Sequence, residues 1–213
     1  MSAASRPRIR DSAVATGKGD DGTTGLLFGG ARISKDDPRT EAYGTIDEAV
    51  AALGLARAEL TVKVQYGTLP AGLGGLGPII LRLQRELFVA AAELATGADA
   101  WERLRDGETR VDAAMVDGLE ALLAETEAGI EMPHEFVVPG ETRTSAALEL
   151  ARTIIRRAER RAVTLQRDGS IAGVHLLPYL NRLADLVWVL ARAAEQAEAR
   201  SPVPSRTRRA RSQ

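Results

Sequence analysis

The sequence of 213 residues contains no cysteine and only two histidines, and aromatic residues make up only 4% of it. Without cysteine, the chain can form no disulfide bond, no zinc–thiolate site and no thiol nucleophile. The two histidines, His134 and His175, are too few for a histidine-rich metal site. With so few aromatic residues, the core must be built from Leu, Ala, Val and Ile. A sequence rich in Ala, Leu, Arg and Glu favours helix over sheet.

A strong net charge and long apolar runs are also missing. The formal net charge is -1, so the chain as a whole is not a basic protein of the nucleic-acid-binding kind. No apolar run approaches the roughly 20 residues that span a bilayer. The N-terminus has no apolar segment of the signal-peptide type. We therefore expect a cytoplasmic protein that binds neither nucleic acid nor membranes.

One domain between two tails is the predicted organisation. Residues 1–15 are predicted to form a disordered leader and residues 201–213 a basic disordered tail, because Pro202 and Pro204 end the last helix. The domain covers residues 16–200 and begins with a glycine-rich loop over residues 16–36. Asp37 followed by Pro38 predicts the start of the first helix.

The helical segments share one pattern, an apolar residue at every third or fourth position. The second, third and fifth helices are predicted at about residues 79–95, 112–127 and 176–198, and the fourth carries a continuous apolar stripe from Leu150 to Leu165. The glycines and prolines of residues 67–78 predict an irregular linker. No segment alternates convincingly with a period of two residues. Five amphipathic helices predict an all-α fold, a five-helix antiparallel bundle.

The glycine-rich loop carries groups that suit a polyphosphate. Its glycines let the backbone turn N–H groups inward, and hydroxyl groups with Lys18 and Lys35 add further donors. The loop is not a Walker A motif, because the Gly-Lys-Ser/Thr ending is absent. A glycine-rich surface loop without a ligand remains the alternative interpretation.

The fourth helix concentrates cations on one face. Arg152, Arg156 and Arg160 follow one another at intervals of four residues, and like charges at this spacing repel. Such a face suits an anionic ligand such as triphosphate. The alternative is a solvated face that forms salt bridges with neighbouring helices, for which Asp47 on the first helix is a possible partner. On the fifth helix, a polar stripe opposite the core face predicts a helix or subunit contact; it consists of Asn181, Asp185, Trp188 and Arg192.

Three stretches, taken together, resemble the propanediol-utilisation type of ATP:cob(I)alamin adenosyltransferase. The first is residues 16–25 with its continuation through residues 33–39 and 41–48. The second is residues 136–140 with residues 151–152 and 156–161, and the third is Leu180-Asn181-Arg182-Leu183-Ala184-Asp185. They occur in the order and at the spacing of the family, and the resemblance covers roughly residues 16–195.

The resemblance implies a five-helix ferritin-like bundle that assembles as a homotrimer, with active sites between subunits. It implies that one chain supplies an ATP loop made of Thr16, Gly17, Lys18, Gly19, Thr24, Gly25 and Lys35. The neighbouring chain is implied to complete the nucleotide site with Arg156, Glu159, Arg160 and Asn181.

The resemblance also implies a corrinoid half of the site. Phe136 corresponds to the aromatic residue that displaces the axial base at the lower face of the corrinoid. Arg152 corresponds to an arginine that pairs with the equivalent of Asp47 across the interface. Arg156, Phe136, Arg152 and Asp47 are therefore the implied catalytic residues, with support from Arg182 and Asp185.

The implied reaction transfers the 5′-deoxyadenosyl group of ATP to the cobalt of cob(I)alamin and releases triphosphate. The reduced cobalt is itself a strong nucleophile, so the protein supplies placement and charge stabilisation. Mg²⁺ would be bound mainly through the ATP phosphates. A reductase as electron donor and a cobalamin-dependent mutase or dehydratase are the implied partners.

Four positions depart from the family pattern. Val50 stands where asparagine is common, Glu141 where glycine is usual, Glu149 where a histidine is expected and Lys18 where threonine is frequent. One alternative is therefore a catalytically divergent carrier or sensor that binds ATP and a corrinoid. Another is a helical interaction protein that works through its arginine tail. Deleting the residues beyond Ser201 should disable such a protein but scarcely affect an adenosyltransferase.

Overall fold

The computed structural model describes residues 15–206, so most of the predicted leader and residues 207–213 of the predicted tail lie outside the described residues. The described part contains five α-helices: α1 Pro38–Gln65, α2 Leu76–Leu94, α3 Ala113–Ala128, α4 Arg143–Arg167 and α5 Leu176–Ala197. The predicted helical fold is confirmed. None of the described helices combines the length and the apolar character needed to cross a membrane.

Two short antiparallel strand pairs accompany the helices. β1 (Thr23–Thr24) pairs with β2 (Ile33–Ser34) inside the glycine-rich loop. β3 (Val137–Val138) pairs with β4 (Val203–Pro204). The sequence predicted neither pair, because a two-residue strand is too short to show an alternating pattern. The second pair includes residues 203–204 of the predicted tail, so these two residues are paired with another segment.

The helix ends show where local sequence rules held and where they failed. Asp37 caps α1 by accepting a hydrogen bond from the backbone N–H of Arg39 at 2.8 Å, with Pro38 as the first helical residue. Helix α2 begins at Leu76, so it includes Pro78, for which the sequence predicts an irregular linker. Proline is tolerated there because N–H groups of the first helical turn have no intrahelical acceptor.

The core is aliphatic, as the composition predicted. Helix α1 packs against α2 and α4, and α5 packs against α4 and α3. Tyr179 is the only aromatic side chain of the described residues that is fully buried. Its hydroxyl donates to Glu86 Oε2 at 3.1 Å, and burial together with that carboxylate raises the pKa of Tyr179 well above its usual value.

Ion pairs and hydrogen bonds between helices show which helices run in the same direction and which run in opposite directions. Early residues of α1 pair with late residues of α4, as in Glu41 with Arg161, whereas Glu59 near the end of α1 pairs with Arg143. These two helices are therefore antiparallel, as predicted. Helix α3 differs, because Glu120 bonds Arg182 early in α5 and Glu131, just after α3, bonds Gln196 near the end of α5. Helices α3 and α5 thus run parallel, since two chain reversals separate them.

Candidate functional site

The glycine-rich loop folds into a compact hairpin around Arg32. This side chain donates from Nη2 to the carbonyl oxygens of Lys18 at 2.8 Å and Thr23 at 2.9 Å. Its Nε donates to the Thr23 hydroxyl at 2.7 Å. The backbone N–H of Lys35 donates to Gly22 at 2.9 Å and closes the hairpin. Arg32 therefore organises the loop by replacing the hydrogen bonds that a longer sheet would supply. Sequence reasoning missed this residue.

Two of the predicted ATP-loop glycines have a steric reason to be glycine. A Cβ atom on Gly19 would lie only 2.8 Å from Lys35 Nζ and 3.2 Å from the carbonyl oxygen of Thr23. Gly17 has a φ of 67°, in the left-handed region that favours glycine. The close approach at Gly19 places the Lys35 ammonium group directly against the loop backbone. A cation beside turned backbone N–H groups is an arrangement suited to phosphate oxygens.

The loop is anchored at one end of the bundle. The backbone N–H of Leu27 donates to Ala95 just after α2 at 2.8 Å. Arg39, in the first turn of α1, donates to the carbonyl oxygens of Leu94 at 2.6 Å and Ser170 at 2.8 Å. Burial lowers the pKa of this arginine. These bonds tie the start of α1 to the ends of α2 and α4.

A separate open groove of about 750 Å³ lies between α3, α4, α5 and the segment that connects α3 to α4. It brings together four of the predicted site residues: Phe136, Arg152, Arg156 and Asp185. The Phe136 side chain is 86% exposed. A large aromatic ring held in water at the edge of a groove is a surface suited to a flat apolar ligand.

A buried ionic cluster inside the bundle holds the side chain of Arg152. Arg152 Nε donates to Glu149 Oε2 at 2.6 Å, and Glu149 Oε1 lies 3.2 Å from Arg192 Nη2. Arg192 also donates to Glu195 at 2.7 Å and is completely buried. Burial raises the pKa of the Glu195 carboxyl, and Arg192 opposes that rise. The guanidinium carbon of Arg192 lies 5.5 Å from the ring centroid of Trp188, which lines the groove.

Sequence reasoning did not predict this cluster. Glu149 stood out only as a departure from the family pattern, and Arg192 was placed in a polar stripe facing away from the core. The sequence contains one indication of this cluster. Glu149 and Arg152 are three residues apart, and so are Arg192 and Glu195. That spacing places opposite charges on one helix face, but it does not show that two such pairs meet inside the protein.

The remaining nucleotide-site candidates form a surface chain of hydrogen bonds between α4 and α5. Asn181 Nδ2 donates to Glu159 at 3.2 Å, and Arg182 Nη1 donates to Asn181 Oδ1 at 2.8 Å. Arg182 Nε then reaches Glu120 on α3 at 2.9 Å. Arg160 Nη1 donates to the carbonyl oxygen of Arg156, one turn earlier, at 3.0 Å.

Some of the arginines on α4 serve helix packing rather than a ligand. Arg157 pairs with Glu48, and Arg161 lies 3.8 Å from Glu41, so both connect α4 to α1. The salt-bridge interpretation of the arginine-rich helix is therefore correct for these two. Within residues 15–206, Asp47 forms no ion pair with Arg152, whose Nε is bonded to Glu149. The pairing of Arg152 with Asp47 of another chain stays a prediction.

The predicted ATP loop does not contribute to the groove within the part of the chain that the structure describes. Among the described residues, those that line the groove come from residues 123–139, 149–156 and 184–189, and none comes from residues 16–36. Of the departures, Glu149 is buried behind Arg152, whereas Val50 packs against the core and its carbonyl oxygen accepts from Gln84 at 2.9 Å. Neither Val50 nor Lys18 lines the groove.

Comparison with known families identifies the family to which this arrangement belongs. The model of the family described as cobalamin adenosyltransferase matches residues 14–194. The chain belongs to the cobalamin adenosyltransferase family. The predicted family is thereby confirmed, and the match covers the loop, the groove and all five α-helices except the last turn of α5.

Curated relatives in the family extend over most of the chain. The corrinoid adenosyltransferase of Citrobacter freundii is 37% identical over 182 residues, which is 85% of this chain and 94% of the relative. The corrinoid adenosyltransferase of Mycobacterium tuberculosis is 38% identical, covering 85% of this chain and 88% of the relative. The corrinoid adenosyltransferase PduO of Salmonella typhimurium is 37% identical, and the chain spans 50% of its length.

Solved structures of family members from Lactobacillus reuteri share the fold. A PduO-type ATP:corrinoid adenosyltransferase variant complexed with cobalamin and ATP aligns with a TM-score of 0.77 at 30% identity. The alignment covers 91% of this chain and 96% of that one. A second variant, complexed with ATP, aligns with a TM-score of 0.76 at 28% identity, covering 91% of this chain and 100% of the other.

Proposed function

We propose that this chain transfers the 5′-deoxyadenosyl group of ATP to the cobalt of cob(I)alamin, giving adenosylcobalamin and triphosphate. Family membership supports the predicted transferase activity and its two substrates, ATP and a corrinoid. The observation in this chain that carries the proposal is the groove, in which the exposed ring of Phe136 faces the same space as Arg152 and Arg156.

The groove offers different chemistry to the two substrates. Phe136 provides an apolar face at the rim, and covering such a ring stabilises a complex by about 1.5–3 kcal/mol. An apolar side chain below the corrinoid offers no ligand to cobalt, so it favours the form without an axial base. The guanidinium group of Arg156 supplies positive charge to a polyphosphate. This separation of apolar and cationic surface suits a reaction between a corrinoid and a nucleotide.

Charge stabilisation of the leaving triphosphate is the main task of the nucleotide half. The cobalt of cob(I)alamin attacks the 5′ carbon of ATP, the bond from that carbon to oxygen breaks, and negative charge accumulates on triphosphate. Lys18 and Lys35 in the loop and Arg156 on α4 are the cations suited to hold that charge. No protein nucleophile is required, so the enzyme acts by placing the two substrates in line.

A second copy of the chain completes the site in this proposal. The loop at residues 16–36 and the groove are separate within one chain, so the loop of a neighbouring subunit supplies Lys18 and Lys35 to Arg156. A homotrimer with three equivalent interfaces satisfies this requirement. Asp47 would then face Arg152 of the neighbouring subunit. The Nε of Arg152 binds Glu149, and its Nη atoms lie farther along the same side chain.

Mg²⁺ and the protein partners remain predictions. The described residues contain no cluster of three or more side chains of the His, Cys, Asp or Glu type that could hold a metal ion. The proposed Mg²⁺ is bound through phosphate oxygens of ATP, where it would neutralise part of the triphosphate charge. An electron-donating reductase and a cobalamin-dependent mutase or dehydratase are the proposed protein partners, and the cytoplasm is the proposed location.

Anaerobic assay with chemically reduced cobalamin, ATP and Mg²⁺ tests the function. Adenosylcobalamin should form and be detected by its absorption spectrum. Phe136→Ala should lower turnover strongly while ATP binding, measured by calorimetry, stays within about twofold, because Phe136 touches only the corrinoid half. Absence of product from the unaltered protein, with ATP still bound, would reject the enzyme and favour the divergent carrier.

A further inference from the structure

The segment that carries Phe136 is attached to the C-terminal part of the chain at two points. At its start, Gln196 near the end of α5 donates to the carbonyl oxygen of Glu131 at 2.6 Å and accepts from the N–H of Glu131 at 2.9 Å. Six residues later, β3 pairs with β4. A side-chain amide with both its groups bonded to one residue fixes the place where the segment leaves the bundle.

The second attachment reaches Phe136 itself. In the strand pair, Val137 is opposite Pro204 and Val138 is opposite Val203. The backbone N–H of Ser205 donates to the carbonyl oxygen of Phe136 at 2.7 Å. The C-terminal residues therefore hold the backbone of Phe136, which lines the groove together with Trp188.

These backbone bonds matter because the Phe136 side chain is held by little else. Phe136 is 86% exposed, and a side chain in water makes few contacts that could fix its backbone. After β3, Pro139 and Gly140 are also exposed, and Gly140 has a φ of 129°. Ordering a segment of this kind costs roughly 1–2 kcal/mol of backbone entropy per residue. The backbone bonds from residues 203–205 offset that entropy cost at Phe136.

We propose that residues 201–206 form a C-terminal strap that positions Phe136 for the corrinoid, with the Ser205 N–H as its decisive contact. This inference depends on the proposed function, because Phe136 is assigned to the corrinoid there. The strap holds the corrinoid half of the site and touches neither the loop of residues 16–36 nor Arg156. The strap therefore affects the binding and reaction of the corrinoid and leaves ATP binding unchanged.

The proposed strap changes one expectation from the sequence. Deletion of the residues beyond Ser201 was predicted to leave an adenosyltransferase almost unaffected. The structure places β4 within that deletion and pairs it with the strand next to Phe136. Loss of the strap is now expected to impair the enzyme.

A single backbone N–H can be removed to test the strap. Ser205→Pro deletes the donor to Phe136, whereas Ser205→Ala keeps the N–H and is the matched control. Ser205→Pro should lower kcat/KM for cobalamin about three- to tenfold, the range that one hydrogen bond provides. The KM for ATP should stay unchanged in both variants. Binding to Co(II) cobalamin should also show a smaller fraction without its axial base, measured by absorption spectroscopy.

Two truncated chains provide an independent test that does not require activity. A chain ending at Arg206 keeps β4, whereas a chain ending at Arg200 lacks it. Hydrogen exchange in a peptide spanning residues 131–140 should be faster only in the shorter chain. Equal exchange in the two chains, or equal cobalamin kinetics for Ser205→Pro and Ser205→Ala, overturns the strap. A complete lack of adenosylcobalamin from the unaltered protein would instead overturn the proposed function, and the exchange result would still be valid.

Discussion

Arg192 shows how a single residue connects the core to the groove. It is completely buried, yet it lies within 3.2 Å of Glu149 and 2.7 Å of Glu195. Glu149 uses its second oxygen for Arg152, which lines the groove. The two carboxylates compensate the buried charge at Nη2, whereas Nε and Nη1 of Arg192 have no hydrogen-bond partner among the described residues. The cluster therefore fixes the stem of Arg152 from inside the bundle.

Arg192→Met should destabilise the protein by about 3–5 kcal/mol at neutral pH, because buried Glu195 loses its cation and Glu149 keeps only Arg152. The measurement is urea unfolding followed by circular dichroism. Arg192→Met combined with Glu195→Gln should recover part of this loss, since the double variant removes one unpaired carboxylate. No recovery in the double variant would show that packing volume, not charge, sets the cost.

Glu93 provides a pH-dependent test of burial. It accepts from the backbone N–H groups of Val111 and Gly173, both at 2.9 Å, and burial raises its pKa. Between the unfolded and the raised pKa, the folded state holds a proton that the unfolded state has lost. The contribution of Glu93 to stability therefore falls as the pH rises through this window.

Comparison with Glu93→Gln isolates this contribution, because glutamine does not titrate. The unfolding free energy of the unaltered protein relative to Glu93→Gln should decrease between about pH 4.5 and neutral pH. Urea unfolding at several pH values measures it. A difference that stays constant or grows in favour of the unaltered protein with rising pH contradicts the raised pKa.

At the scale of secondary-structure elements, α4 has three different surfaces. Its apolar stripe is buried in the core, Arg157 and Arg161 face α1, and Arg152 and Arg156 face the groove. The helix must therefore begin in a fixed register. Thr142 and Ser145 set that register with a capping box, in which each side chain bonds the backbone N–H of the other.

Thr142→Ala should reduce stability by about 1 kcal/mol, because the cap loses its acceptor. Thermal unfolding measures this change. Thr164→Ala is the matched control, since Thr164 is an exposed threonine inside the same helix. Its loss should have little effect, and equal losses for the two variants would argue against the cap as the cause.

At the scale of the whole molecule, the proposed site exists only in an assembly. The loop with Lys35 lies where α1 begins and α2 ends, and the groove with Arg156 lies between α3, α4 and α5. In the proposed trimer, each chain contributes to two different sites, one through its loop and one through its groove. A rotationally symmetric trimer makes all three sites identical.

Mixed assemblies test this arrangement. Lys35→Ala and Arg156→Ala should each be nearly inactive alone. Co-expressed, they should regain activity at about a quarter of the interfaces, where both contributing groups are unaltered. Lys18→Ala mixed with Lys35→Ala is the control and should not recover, because both changes lie in the same loop. A mass of 22.7 kDa for the active protein, that of one chain, would contradict the trimer.

Much of the fold followed from local sequence patterns. Helical periodicity and the Asp37 cap depend on neighbouring residues, so the helices and the start of α1 were predicted from sequence. The start of α2 was missed, because Pro78 signals a break but is compatible with a first turn. The strand pairs were missed because each joins residues at least nine positions apart.

The sequence alone determined the helical class and the aliphatic core. It also determined the family, because three motifs in the right order identify it without coordinates. Only the tertiary structure decided that Glu149 and Arg192 meet in the interior, that Arg32 organises the loop, and that β4 pairs with the strand next to Phe136. Contacts between residues distant in the chain depend on how the helices pack against each other. Side-chain spacing along one helix carries no information on that packing.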